Sequence, residues 1–130
     1  DIMVLNMPDF GLIPAFYDSP ASTLATSWSL EFNRDLEIML GYLDGYFDVN
    51  LRYVDVFGLM QAVNANPSVY GVTSILDLFY DPIHPNSTGH QLIAGLAYGQ
   101  AAPVPEPSTI LLLGVGLIGL AGCGRRRFRS

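Results

Sequence analysis

The sequence predicts an α/β fold built on a parallel sheet, and three observations carry that prediction. Ile2-Met3-Val4-Leu5 is a short apolar run closed by Asn6-Met7-Pro8. Runs of this kind read as fully buried strands of a parallel sheet. Leu24, Trp28, Phe32, Leu36, Met39, Leu40 and Leu43 then recur at three- and four-residue intervals. That spacing makes one apolar stripe on an amphipathic helix, expected to face the core. Leu51 to Phe57 is rich in Val and aromatic residues and reads as a second strand. A strand–helix–strand order gives a right-handed parallel crossover.

The remaining elements follow in order. Asp9 to Pro20 is a loop rich in Pro, Gly and Asp. Ser19 followed by Pro20, or Ser22 a turn later, is the expected cap of the long helix. Gly41 and Gly45 weaken its far end. Gly58 to Val63 reads as a short helix ended by Asn64-Ala65-Asn66-Pro67. Pro67 to Asn86 is an irregular and rather apolar stretch, and loops of that length are often functional. Asn86 is placed to cap a last helix with Leu92, Ile93, Leu96 and Ala97 on one side, and Gly99 is its expected stop. Ala101 to Pro107 is a Pro/Ala-rich linker with an extended backbone.

Composition narrows the function. The 130 residues are 50% hydrophobic and 14% charged, which excludes disorder throughout. All six bases are arginines, and four of them lie in the last six residues. Up to Gly124, two arginines stand against all twelve acids. Such a body lacks the cations that phosphate contacts need, so nucleic acid is excluded as its partner. The single Cys123 allows neither an internal disulfide nor a cysteine metal site. His84 and His90 have no further ligand cluster around them, so no metal or cofactor is expected. The sequence opens on Asp1 rather than Met. It therefore reads as a processed chain or, as the motifs favour, a piece of a longer one.

Chemistry concentrates in Tyr80-Asp81-Pro82-Ile83-His84-Pro85-Asn86-Ser87-Thr88-Gly89-His90. Asp81 and His84 stand three residues apart, between prolines that restrict the backbone. One turn brings such side chains together. A carboxylate that accepts the imidazole N–H fixes the tautomer and stabilises the imidazolium. The other ring nitrogen is then free to take a proton from a nucleophile. Asp-x-x-His alone also describes a loop histidine paired for structural reasons.

The wider window, Asp-x-x-His-Pro followed by Gly-His at the start of a helix, resembles the last sequence block of the SGNH (GDSL) esterase and lipase family. Ile2 to Pro14, Phe32-Asn33, Asp55-Val56-Phe57 and Asn66-Pro67 with Tyr70-Gly71 extend the likeness over about Asp1 to Tyr98. The resemblance implies a three-layer α/β/α sandwich with a parallel sheet, of which residues 1–100 are the C-terminal portion. It gives Asp81 and His84 the roles of triad acid and base. His90 is a packing or hydrogen-bonding residue under this reading, and Asp55 a cap for the next helix. The family's nucleophile block and the blocks that build its oxyanion hole do not occur. No Gly-Asp-Ser, Gly-x-Asn-Asp or Gly-x-Ser-x-Gly is present. These parts are expected upstream of Asp1.

The tail has three parts: Pro105-Glu106-Pro107, an uncharged segment from Ser108 to Gly124, and the cluster Arg125, Arg126, Arg127 and Arg129. A helix over residues 108–124 is about 25 Å long, slightly short of the ~30 Å bilayer core. Cations at its end would stay cytoplasmic. Residues 104–130 resemble the PEP-CTERM sorting signal of Gram-negative bacteria. The resemblance implies transient membrane insertion through residues 108–124, recognition and cleavage by an exosortase, and delivery to the cell envelope or beyond.

Together these readings describe an exported serine ester hydrolase acting on a lipid or acylated carbohydrate. The alternative is a non-catalytic protein of an extracellular matrix or biofilm. A nucleophile block upstream separates the two.

Overall fold

A computed structural model describes residues 2–47 and 49–101. Strand β1 (Ile2–Leu5) and strand β2 (Leu51–Val54) lie parallel, in the register Ile2↔Leu51 to Leu5↔Val54. Helix α1 (Ser22–Tyr46) connects them, as the apolar periodicity predicts. Helices α2 (Val56–Ala65) and α3 (Ser87–Gln100) follow β2, separated by 3₁₀ turns at Pro67–Tyr70 and Ile75–Leu78. A further 3₁₀ turn occupies Phe10–Leu12. This compact unit ends at Gln100, and a second unit begins at Ala101.

The core lies between α2, the segment after β1 and the 67–79 segment. Ile13, Met60, Val63, Ile75 and Leu78 are its buried residues. Full burial of side chains this size stabilises by about 1.5–3 kcal/mol each.

Two expectations about burial are corrected. The Trp28–Phe32 stripe of α1 does not form core: Trp28 is 59% exposed and Phe32 50%. The buried face of α1 is instead Ala25, Ser29 and Asn33, one residue round the helix. Polar contacts to the chain after β1 set this rotation. Asn33 accepts from the Met7 N–H at 2.7 Å and donates to the Met7 carbonyl at 2.8 Å. Ser29 Oγ accepts from Phe10 N, and Ser22 Oγ donates to the Gly11 carbonyl. Gly11 permits the approach, because a Cβ there would sit 2.5 Å from the Ser22 carbonyl oxygen.

β1 is likewise not fully buried. Ile2 is 50% exposed and Leu5 46%. Among the described residues β1 pairs only with β2, so one edge and much of each face stay uncovered.

Local boundaries also differ from the pattern. The N-cap of α1 is Ala21, which makes no side-chain cap, while Ser19 Oγ accepts from Ala21 N at 3.3 Å. β2 stops at Val54 because Asp55 caps α2, accepting from Gly58 N at 2.9 Å. Val56 and Phe57, which the apolar pattern assigns to the strand, open the helix. α3 runs past Gly99 to Gln100. Its Leu92, Ile93, Leu96 and Ala97 are half-buried on one side, as their spacing predicts.

The apolar helix expected at residues 108–124 lies outside the described residues. So does the linker beyond Ala101. Among the described residues no helix is long and apolar enough to cross a membrane.

Candidate active site

Asp81 and His84 come together in a turn whose own backbone orients the acid. Asp81 Oδ1 accepts from the N–H groups of Ile83 at 2.8 Å and His84 at 2.7 Å. Oδ2 is left for the imidazole, and His84 Nδ1 lies 2.7 Å from it. The two backbone donors, the His84 N–H first, hold the Asp81 carboxyl down to about 2, against an opposing push from desolvation. Near neutral pH this carboxylate is therefore ionised and can only accept. The shared proton then belongs to Nδ1, and a neutral imidazole carries its lone pair on Nε2. Nε2 has no hydrogen-bond partner among the described residues, and the His84 side chain is 62% exposed. A base with a fixed tautomer and an open lone pair is able to take a proton from a bound nucleophile.

Neighbouring strands of chain fix the turn at both ends. Tyr80 N donates to the His84 carbonyl at 3.1 Å, and Phe79 bridges Pro85 in antiparallel fashion. Asn86 caps α3 through its Oδ1, which accepts from Thr88 N at 2.9 Å and Gly89 N at 3.1 Å. Its amide nitrogen donates to the carbonyls of Asp77 and Phe79. Asn86 thus joins the start of α3 to the segment before the turn. From the other side, Ala15 N donates to the Pro82 carbonyl at 2.9 Å.

Two contributions were not visible in the sequence pattern. The Tyr80 ring stacks on the His84 imidazole, with centroids 5.8 Å apart and planes 17° from parallel. An aromatic residue four positions before the histidine, across a proline-braced turn, is the signal that would have found it. Asp9, which reads as an ordinary loop residue, is 0% exposed. Its Oδ1 accepts from Gly11 N and Thr26 Oγ1, and its Oδ2 from Gln61 Nε2. These bonds tie the Phe10–Leu12 turn to α1 and α2, and the same segment reaches the site through Ala15.

Asp55 holds the helix-cap position and also accepts from Asn6 Nδ2 at 2.7 Å. His90 lies exposed on α3 and takes no part in the Asp81–His84 hydrogen bond. An apolar cavity of about 210 Å³ lies beside the turn, lined in part by Ile83 and Pro85 on either side of His84. Leu78 and Phe79, from the apolar stretch before the turn, also line it. Tyr70 and Ile75 pack in or against the core instead.

Comparison with known proteins places a signal at the other end of the chain. Residues 103–127 match the PEP-CTERM protein-sorting motif. The chain carries a PEP-CTERM signal. This motif implies export, processing by an exosortase and sorting to the envelope of a Gram-negative bacterium. The chain is also similar to a Pseudomonas putida protein described as an uncharacterized protein in the trpE-trpG intergenic region. The two are 32% identical over 123 residues, which cover 75% of this chain. The match takes in 21% of the relative, so the PEP-CTERM chain spans about a fifth of that protein's length.

Proposed function

We propose that this chain is the proton-handling part of an exported serine ester hydrolase of the SGNH type, sorted to the envelope by its PEP-CTERM signal. His84 takes the proton from a serine hydroxyl as that oxygen attacks the acyl carbonyl. The imidazolium then gives the proton to the leaving alcohol. Asp81 holds the Nδ1–H tautomer and stabilises the imidazolium. The serine and the oxyanion-hole donors come from outside these 130 residues, whose sequence contains no Gly-Asp-Ser block. The fold belonging to this reading is a three-layer α/β/α sandwich in which β1 and β2 are two strands of a larger parallel sheet.

The observation that carries the reading is the 2.7 Å Nδ1–Oδ2 contact on an imidazole left open at Nε2. The substrate is an ester of a lipid or an acylated carbohydrate.

The test uses the polypeptide that joins this chain to its upstream sequence. His84→Ala is expected to lower hydrolysis of a short-chain nitrophenyl ester by a factor of about 10⁶ while export continues. Turnover within a few-fold of the parent would remove His84 from the mechanism. An upstream sequence without a nucleophile block would favour a non-catalytic matrix protein. The 130-residue chain alone is expected to resist labelling by a serine-directed phosphonate.

A further inference from the structure

We propose that Tyr80 is a positioning residue for the base: its ring, laid against one face of the His84 imidazole, fixes the plane in which Nε2 points. The proposal rests on the hydrolase reading above and adds to it a residue that acts only through His84.

The contact with Asp81 does not hold the ring by itself. It is a single bond, between Nδ1 and Oδ2 at 2.7 Å. A ring pinned at one nitrogen can swing about that point, and Nε2, on the far side, takes the whole of the movement. The His84 side chain is 62% exposed, so core packing does not supply the missing restraint. A general base must meet its proton at hydrogen-bond distance. Misplacement by about 1 Å can cost a reaction about 100-fold. The second restraint is the Tyr80 ring. The two planes are 17° from parallel and the centroids 5.8 Å apart, within the range of offset-stacked aromatic pairs. A face laid on a face resists tilting, which a bond at the ring's edge does not.

The Tyr80 side chain is spare to the rest of the molecule. Phe79 packs against the core, whereas Tyr80 is mostly exposed. Among the described residues the Tyr80 hydroxyl has no hydrogen-bond partner, and its ring stacks on no ring but that of His84. The turn closes without this side chain. It is the Tyr80 N–H that donates to the His84 carbonyl, and Asp81 Oδ1 takes the N–H groups of Ile83 and His84. Removing the ring therefore leaves the carboxylate and its donors in place and strips only the imidazole face. The same backbone pairing brings the rings together. Tyr80 and His84 face each other across the turn, one step inside the Phe79–Pro85 bridge, where opposed side chains interact.

The test places Tyr80→Ala and Tyr80→Phe in the polypeptide joined to its upstream sequence, labelled with carbon-13 histidine. The His84 signal is assigned by its loss in His84→Ala. Carbon relaxation then gives the order parameter of the His84 Cε1–H bond. It should be about 0.85 in the parent and in Tyr80→Phe, and about 0.6 or lower in Tyr80→Ala. In all three the Asp81 carboxyl should titrate near 2, which reports an intact turn. With a short-chain nitrophenyl ester, kcat should fall about three- to tenfold in Tyr80→Ala, with KM changed less than about twofold, as loss of one aromatic pair dictates. Tyr80→Phe should restore kcat. An unchanged order parameter in Tyr80→Ala overturns the proposal, as does an unchanged kcat where order is lost. Tyr80→Phe as slow as Tyr80→Ala would give the effect to the hydroxyl, and a loss confined to KM would give it to substrate contact; either overturns it. An Asp81 carboxyl that leaves its depressed value in Tyr80→Ala would show that the ring holds the turn and not the imidazole, and would overturn it too. Order lost in Tyr80→Ala and kept in Tyr80→Phe, with no ester hydrolysed by any form, retains the positioning role and defeats the hydrolase reading alone.

Discussion

Replacing Asp9 with alanine removes the acceptor of three donors at once. Asp9 is 0% exposed, and its carboxylate receives Gly11 N at 2.9 Å, Thr26 Oγ1 at 2.7 Å and Gln61 Nε2. The three donors do not suffer equally. Gln61 is exposed and its amide turns to water. Thr26 sits within α1, where a hydroxyl can donate to the carbonyl one turn back. Gly11 N is buried and donates to Asp9 Oδ1, so losing that acceptor costs it about 1–3 kcal/mol. Loss of the charge-assisted bonds adds about 1.5–3 kcal/mol, and release of the carboxylate from burial offsets part of it. A net loss of about 2–4 kcal/mol is expected. With a urea slope of about 1.5 kcal/mol/M, the midpoint moves down by about 2 M.

Urea unfolding followed by far-UV circular dichroism measures this shift. Asp9→Asn is the control, because its remaining oxygen can keep Gly11 and Thr26 while Gln61 turns its amide oxygen inward. Its loss should stay below about 1.5 kcal/mol. A midpoint for Asp9→Ala within about 0.3 M of the parent would refute the reasoning. Equal losses in the two variants would show that charge, and not bond geometry, holds the segment. Because Ala15 N bonds the Pro82 carbonyl from this same segment, Asp9→Ala should also displace the Ile83 and His84 amide resonances.

Three further outcomes are expected. The Asp81 carboxyl, followed by its carbon chemical shift, should titrate near 2 and not near the ordinary value of 3.8. Its folded value is depressed, so its support for the turn is complete above about pH 4 and is lost as pH falls towards 2. Asp77 shifts in the same direction, held down by the Thr73 hydroxyl and the Thr73 and Ser74 N–H groups. Tyr80→Ala should remove the ring-current displacement of the His84 ring protons, and Tyr80→Phe should keep it; equal shifts in both would deny the stack. Asn86→Ala should cost about 1–2 kcal/mol and raise amide exchange in the first turn of α3. Unchanged protection there would show that Asn86 does not hold the helix start.

What the sequence made legible tracks the distance over which each contact acts. Asp81 meets His84 three residues away, with Pro82 and Pro85 limiting the backbone, so the pairing is written in one short window. The Asn86 cap is equally local. The rotation of α1 is not. Its apolar residues Leu24, Trp28 and Phe32 outweigh Ala25, Ser29 and Asn33 in any count of hydrophobicity. Asn33 nevertheless faces inward, because its amide answers the Met7 N–H and carbonyl 26 positions away. Asp9 reads as loop for the same reason, since its partner Gln61 is 52 positions distant. The end of β2 was hidden differently. Apolar residues stand on both sides of Asp55, and only the carboxylate's bond to Gly58 marks where extended backbone becomes helical.

These facts divide the labour around His84. Its orientation is local: the carboxylate that fixes the tautomer is itself fixed by two N–H groups of the same turn. Its position relative to the sheet is long-range and polar. Asn6 links the end of β1 to Asp55 and the start of α2, Asp9 ties the following turn to α1 and α2, and Ala15 carries that frame to Pro82. Apolar packing alone would leave such a turn free to slide, since dispersion is non-directional, whereas each of these bonds has one geometry. Changes in this polar frame should therefore misplace a correctly formed Asp–His pair. Changes inside the turn should instead spoil the pair and leave the frame standing.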